Sequence, residues 1–151
     1  MWQEMIESFS IRWKVYVNVY IRNERVFKVC FSNGPVNEFI QSKVSKILKK
    51  DMEKYFKGKK VDFVRYDVIL NKSNFVKSVL NYVRKIPYGN VVTYGFIAKI
   101  LNTSPRAVGR ALSLNPVPIV IPCHRVVSSN GLGGFSQGVW IKRELLKLEL
   151  K

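Results

Sequence analysis

Histidine is nearly absent from this chain, with one residue in 151. Cysteine is scarce, with two residues, and acidic residues number only 10 against 26 lysines and arginines. Each shortage excludes something. One histidine and two cysteines cannot furnish the four nitrogen or sulfur ligands of a structural zinc site, so no metal and no cofactor are expected. Two cysteines are too few for a disulfide framework and suit a reducing compartment. No apolar run approaches the ~20 residues that a membrane-spanning helix needs, so no membrane partner is expected. Met1-Trp2-Gln3-Glu4 lacks the basic start and following apolar stretch of a secretory leader. The shortage of acid leaves a formal net charge of +16. Such an excess points to a polyanionic partner, nucleic acid foremost, with a generally basic soluble protein as the alternative.

What is present suffices for a core. Hydrophobic residues make up 47% of the chain, which excludes a disordered segment. The length suits one compact unit or two small lobes. The expected class is α/β. A small N-terminal α/β lobe over 1–70 combines a short sheet and a helix. A mostly helical domain over 71–151 carries a helix-turn-helix.

In the first lobe, Arg12 to Tyr20 alternates and reads as a strand, and Arg25 to Phe31 as a second. Ile21-Arg22-Asn23-Glu24 between them suggests a hairpin. Asn33-Gly34-Pro35 breaks the chain. Ile40, Val44, Ile47, Leu48 and Tyr55 follow helical spacing, with Gly58 as the stop. The lysines of this stretch read as a solvated helix face. Val61 to Val68 reads as a third strand.

In the second, Ser73 caps a helix with Phe75, Val76, Val79, Leu80 and Val83 on one side. Thr93 caps a short helix with Ile97, Ile100 and Leu101 inward. Asn102-Thr103 makes a tight link, and Ser104-Pro105 opens the next helix. Two short helices with such a turn fit a helix-turn-helix. At ~100° per residue, Val108, Ala111 and Leu112 share one face of the second helix. Arg106, Gly109, Arg110 and Ser113 share the other. That face is basic and small, so backbone can approach a phosphate closely.

The only histidine directly follows a cysteine in Ile121-Pro122-Cys123-His124-Arg125-Val126-Val127. A thiol is a strong nucleophile only as the thiolate, and a neighbouring imidazole or cation lowers its pKa. Taken alone, such a pair also fits a buried structural cysteine beside a surface histidine. Cys30, in a predicted strand, reads as a small hydrophobe.

Asn115 through Val127, NPVPIVIPCHRVV, resembles the active-site signature of the O6-alkylguanine-DNA alkyltransferases. Ile86-Pro87-Tyr88-Gly89 with Val92-Thr93-Tyr94-Gly95, then Ser104 to Gly109, are similar to further segments of that family. So are Gly133-Gly134-Phe135-Ser136 and Leu145-Leu146-Lys147-Leu148-Glu149. The collinear likeness covers 73–149. It implies direct-reversal repair, in which an alkyl group moves irreversibly from O6-alkylguanine in duplex DNA, or from O4-alkylthymine, onto Cys123. It implies a cytoplasmic prokaryotic monomer.

The resemblance assigns roles residue by residue. Cys123 is the nucleophile, with His124 and Glu149 linked to it through a water. Tyr94 donates to the leaving guanine and helps rotate the phosphate, and Asn115 holds the turn. Arg106 fills the stack that the flipped nucleotide vacates, within a DNA-facing set of Ala107, Gly109, Arg110 and Ser113. Pro118 and Ser136 border the alkyl group, and the Ser136 amide meets O6. The carbonyls of Cys123 and Val126 accept from the exocyclic amine. Arg125 is expected to anchor structure. Phe135 stands where the family usually has tyrosine, which removes a hydroxyl. Three other functions compete: a lesion-binding protein of the alkyltransferase-like kind, a helix-turn-helix regulator, and a Cys-His hydrolase. None of these uses both Cys123 and Arg106.

Overall fold

A computed structural model describes residues 5–150. Met1-Trp2-Gln3-Glu4, the stretch on which the expectation of no secretory leader rests, lies outside the described residues. The chain runs β1 (Ile6–Arg12), β2 (Tyr16–Arg22), β3 (Arg25–Ser32), α1 (Lys43–Phe56), α2 (Asn74–Val83) and β4 (Val92–Thr93). There follow α3 (Tyr94–Ile100), α4 (Pro105–Leu112), a 3-10 turn (Cys123–Arg125), β5 (Val126–Val127) and α5 (Val139–Glu149). This is a mixed α/β fold, a small sheet first and helices after.

The sheet is antiparallel in the order β1-β2-β3. The β2–β3 hairpin turns at Asn23 and Glu24, whose φ of 50° and 63° give the left-handed pair that a two-residue hairpin requires. The expected strand over Arg12–Tyr20 is in fact the end of β1, a turn and most of β2. β1 has no clear alternation in the sequence because its inward side carries Glu7 beside Phe9 and Ile11, while Ile6 faces out. Glu7 is buried because its carboxylate accepts from Gln41 N at 2.6 Å, Ser42 N at 2.7 Å and the hydroxyls of Ser42 and Ser45. It thereby secures the start of α1.

Val61–Val68 is not a strand. Most of the segment folds into turns instead of pairing along the free edge of β3. Only its end touches the sheet, where Val26 N donates to Asp67 O and Ile69 N to Val26 O, each at 2.9 Å. Two expected inward residues face out: Phe75 is 40% exposed and Ile100 51%. Most of the α1 lysines are exposed, as a solvated face requires.

Local caps open the helices where the sequence places them. Ser73, Thr93 and Ser104 each accept from the amide three residues on, at 3.3, 3.1 and 3.1 Å. Asn102 takes φ 53° between α3 and α4 and makes the tight link of the helix-turn-helix. One apolar core runs from Phe9 in β1 to Leu145 in α5. β3 meets the loop before the 3-10 turn, with Val29 N on Pro116 O at 2.9 Å. β4 pairs in parallel with β5, setting Val92 opposite Val126 and Thr93 opposite Val127. That pairing brings the start of α3 beside the Cys-His turn.

Candidate active site and nucleic-acid interface

Pro122 leads the chain into a 3-10 turn that carries Cys123, His124 and Arg125, all buried. Asn115 fixes the approach. Its Nδ2 donates to Ile121 O at 2.9 Å, and its Oδ1 accepts from Val117 N at 3.0 Å. Successive residues of the turn point different ways. Cys123, 8% exposed, reaches a cleft of about 620 Å³, while His124 is fully buried behind it.

His124 Nε2 meets Glu149 Oε2 at 2.6 Å. Arg125 donates to both oxygens of that carboxylate, at 2.8 Å through Nε and 3.0 Å through Nη2. Its Nη1 donates to Ile86 O at 2.6 Å. Arg125 therefore anchors the final helix to the turn. A carboxylate only accepts, so the proton on His124 lies on Nε2 and Nδ1 keeps its lone pair. Nδ1 is buried and has no partner among the described residues. Burial pushes the imidazole pKa down, against the pull of Glu149, so His124 is neutral near pH 7. For Glu149, burial would raise the carboxyl, but hydrogen bonding to His124 and then Arg125 outweighs it and holds it well below the carboxylate range.

Burial likewise raises the Cys123 thiol, and a hydrogen bond with Asn115 and the charge of Lys142 pull it back. Lys142 is the residue that sequence reasoning missed. It is fully buried, and its Nζ donates to Val126 O at 2.7 Å, Gly134 O at 2.9 Å and Tyr94 Oη at 3.3 Å. Burial lowers its pKa to about 8. Its spacing was a usable signal, because 142, 146 and 149 follow helical spacing on one side of α5. The Val126 carbonyl thus takes one donor from within the chain, and its second lone pair is free to accept another.

Tyr94 is half-buried at the start of α3, and its hydroxyl lies 3.4 Å from Gly134 O. Its place depends on glycine. Gly133 has φ 77°, and a Cβ there would come within 2.6 Å of the Tyr94 ring. On the other side the ring faces Gly109 of α4, where an added Cβ would sit 3.7 Å away, an ordinary contact.

The cleft brings together Cys123, Tyr94, Arg106, Gly109, Ser113 and Ser136 of the expected set. Phe135 joins them, 6.3 Å from the Phe31 ring of β3. Arg106, Arg110 and Ser113 stand exposed on α4, opposite the buried Val108, Ala111 and Leu112, and Ala107 is partly buried. Pro118 is buried and does not line the cleft, because the Asn115–Pro122 segment packs inward as a unit. Asn115, His124 and Glu149 stand behind the cleft wall. Among the described residues, no cluster of His, Cys, Asp and Glu could hold a metal ion. No helix among them is long and apolar enough to cross a membrane.

Residues 74–151 match the family model described as "6-O-methylguanine DNA methyltransferase, DNA binding domain". A methylated-DNA–protein-cysteine methyltransferase of Archaeoglobus fulgidus is 41% identical over 148 residues, 93% of this chain and 97% of the relative. One of Methanopyrus kandleri is 55% identical over 102 residues, 68% of this chain and 78% of the relative. The crystal structure of Mycobacterium tuberculosis OGT in complex with DNA superposes with a TM-score of 0.77 at 25% identity, covering 95% of this chain and 92% of that one.

Proposed function

The chain belongs to the 6-O-methylguanine DNA methyltransferase family, and from that premise we propose that Cys123 is the residue that takes the alkyl group. The function is direct-reversal repair of DNA. The enzyme is a methylated-DNA–protein-cysteine methyltransferase acting on duplex DNA that contains O6-alkylguanine. One observation carries the assignment of Cys123. Its side chain opens into the cleft that Arg106 and Tyr94 also line, while the histidine next to it is buried with a free Nδ1.

A guanine stacked in a duplex cannot reach a buried thiol. It must be flipped out, at a cost of a few kcal/mol. Arg106, exposed at the start of α4, has a long planar head that fills the vacated stack. Gly109 and Ser113 keep the rest of that face small. The net charge of +16 draws the polyanion in.

Within the cleft the Cys123 Sγ attacks the alkyl carbon in line. The S–C bond forms as the C–O6 bond breaks, and the electron pair stays on guanine. The thiol proton passes to His124 Nδ1 through a water, since Nδ1 makes no direct hydrogen bond to the thiol. The Tyr94 hydroxyl supplies a proton to the leaving base. Lys142 donates to that hydroxyl and places a positive charge beside it, against the burial that raises its pKa. It also favours the thiolate electrostatically. The product is a thioether, which water does not hydrolyse, so each molecule turns over once.

Intact-protein mass after incubation with O6-methylguanine DNA tests the assignment. The expected result is one added methyl, located on Cys123, in wild type and none in Cys123→Ser. A hydroxyl is far less ionised than a thiol near neutral pH, while the cleft and its arginines are unaltered, so the variant should still bind DNA. A methyl adduct on the serine variant would overturn the assignment.

A further inference from the structure

The carboxylate behind the active-site turn takes one of its donors from the other lobe. Tyr55 lies in the last turn of α1, and its partner in the relay is 94 residues further along the chain. The side chain is fully buried. Its ring stands edge-on to Phe56, Phe63 and Tyr88, with centroids 5.0, 5.7 and 6.0 Å apart. Its hydroxyl donates to Glu149 Oε2 and lies 3.4 Å from His124 Nε2. The same carboxylate oxygen meets His124 Nε2 at 2.6 Å and Arg125 Nη2 at 3.0 Å.

We propose that Tyr55 is a positioning residue for alkyl transfer, its hydroxyl orienting the Glu149 carboxylate and limiting how much of its charge reaches His124. The inference rests on the assignment of His124 as the acceptor of the thiol proton.

The physical argument is competition at one oxygen. Donors that share a carboxylate oxygen each weaken the others' hold on its lone pairs. Arg125 neutralises the carboxylate from its own turn. A phenol adds a third contact without adding charge. Burial, and then the charge of Glu149, push the Tyr55 hydroxyl well above its ordinary pKa, so it stays a donor at every working pH. The other ionisable groups around His124 are Cys123 and Arg125 on its own turn, and Glu149 and Lys142 on α5. Tyr88 stands beside them from the segment before β4, with Arg125 5.8 Å over its ring. The carboxylate also accepts from Gly89 N at 3.3 Å, through Oε1. Among the described residues, Tyr55 alone reaches the relay from the first lobe.

His124 is the only histidine, so its imidazole resonances need no assignment. The test titrates them by NMR in the unalkylated protein and measures the pH profile of methyl transfer from O6-methylguanine DNA. Tyr55→Phe keeps the ring and removes the donor. The His124 pKa and the acid limb of transfer should both rise, by about one pH unit. Site-specific 3-fluorotyrosine at position 55 is a stronger donor and should lower both. A purely structural tyrosine would give no opposed pair of shifts. If neither replacement moves the titration while wild type transfers methyl, the role of Tyr55 is wrong. If Tyr55→Phe fails to fold, the fluorinated protein alone decides, and an unshifted titration there overturns the proposal. Absence of methyl transfer by wild type would overturn the repair reading instead, and the histidine titration would still report on Tyr55.

Discussion

The two walls of the cleft are built on opposite plans. Behind Cys123, His124, Arg125, Lys142 and Glu149 are buried, and between them they engage carbonyls, a carboxylate and two tyrosine hydroxyls. Across the cleft, Arg106, Arg110 and Ser113 of α4 stand in water. The difference follows from what each wall must do. Chemistry at a thiol requires fixed charges in a dry surrounding, where each is worth far more than in water. Recognition of a polyanion requires cations whose partners arrive with the ligand. The inner wall pairs its charged groups within the chain and leaves His124 Nδ1 open, whereas on the proposed function the outer wall leaves its pairing to DNA.

Breaking the inner wall should have the largest effect. Glu149→Gln leaves Arg125 buried with a neutral partner. Removing one member of a buried ion pair costs about 3–5 kcal/mol, to be read by chemical denaturation. The pH dependence has a definite sign. The folded carboxyl is held below the ordinary 4.5, so its contribution is complete above pH 4.5 and is lost as pH falls further. The neutral, buried His124 works the same way below 6.5, because the unfolded chain binds its proton more readily. Wild type should therefore lose stability steeply in acid, and Glu149→Gln should show a shallower loss. Parallel acid profiles would mean that the carboxylate is not what the inner wall is built around.

Lys142→Met cuts the link between the two kinds of group. It removes the cation near Cys123 and the donor to Tyr94 while keeping the volume close. Removing a preorganised donor of this kind slows a reaction by about a hundredfold or more. Single-turnover kinetics with O6-benzylguanine, a free base that needs no flipping, should show the loss. A rate within a factor of two of wild type would leave Lys142 a purely structural residue.

Arg106→Ala tests the outer wall and should have the smallest effect. Transfer from duplex O6-methylguanine should slow by about tenfold, part of the few kcal/mol that flipping requires. Transfer from free O6-benzylguanine should barely change. Equal losses on both substrates would show that Arg106 supports the inner wall, and the contrast between the walls would fail.

Legibility in the sequence followed the range of the interactions. The caps Ser73, Thr93 and Ser104 each bond an amide three residues away, so local pattern was enough. The division of α4 into a buried and an exposed face was legible for the same reason. β1 was hidden by Glu7, an acid on the inward side whose partners lie 34–38 residues on. Val61–Val68 alternated like a strand, but alternation does not reveal whether a segment will pair with a sheet edge. Phe75 and Ile100 fit a helical stripe, yet each lies at its margin, where the packing of neighbouring helices decides exposure.

Sequence by itself determined the chemistry available to this protein. It has one thiol beside the single imidazole, a basic helix opened by Ser104-Pro105, and too few metal-binding side chains for a zinc site. Those properties belong to residue types and to neighbours a turn apart. Tertiary structure alone decided which groups meet. Tyr55 reaches Glu149 across 94 residues, and Lys142 reaches Tyr94 across 48. Helical spacing can place Lys142 on the inner side of α5, but which group a buried side chain meets leaves no periodic trace, because the apolar core that forces such groups together is assembled from every element at once.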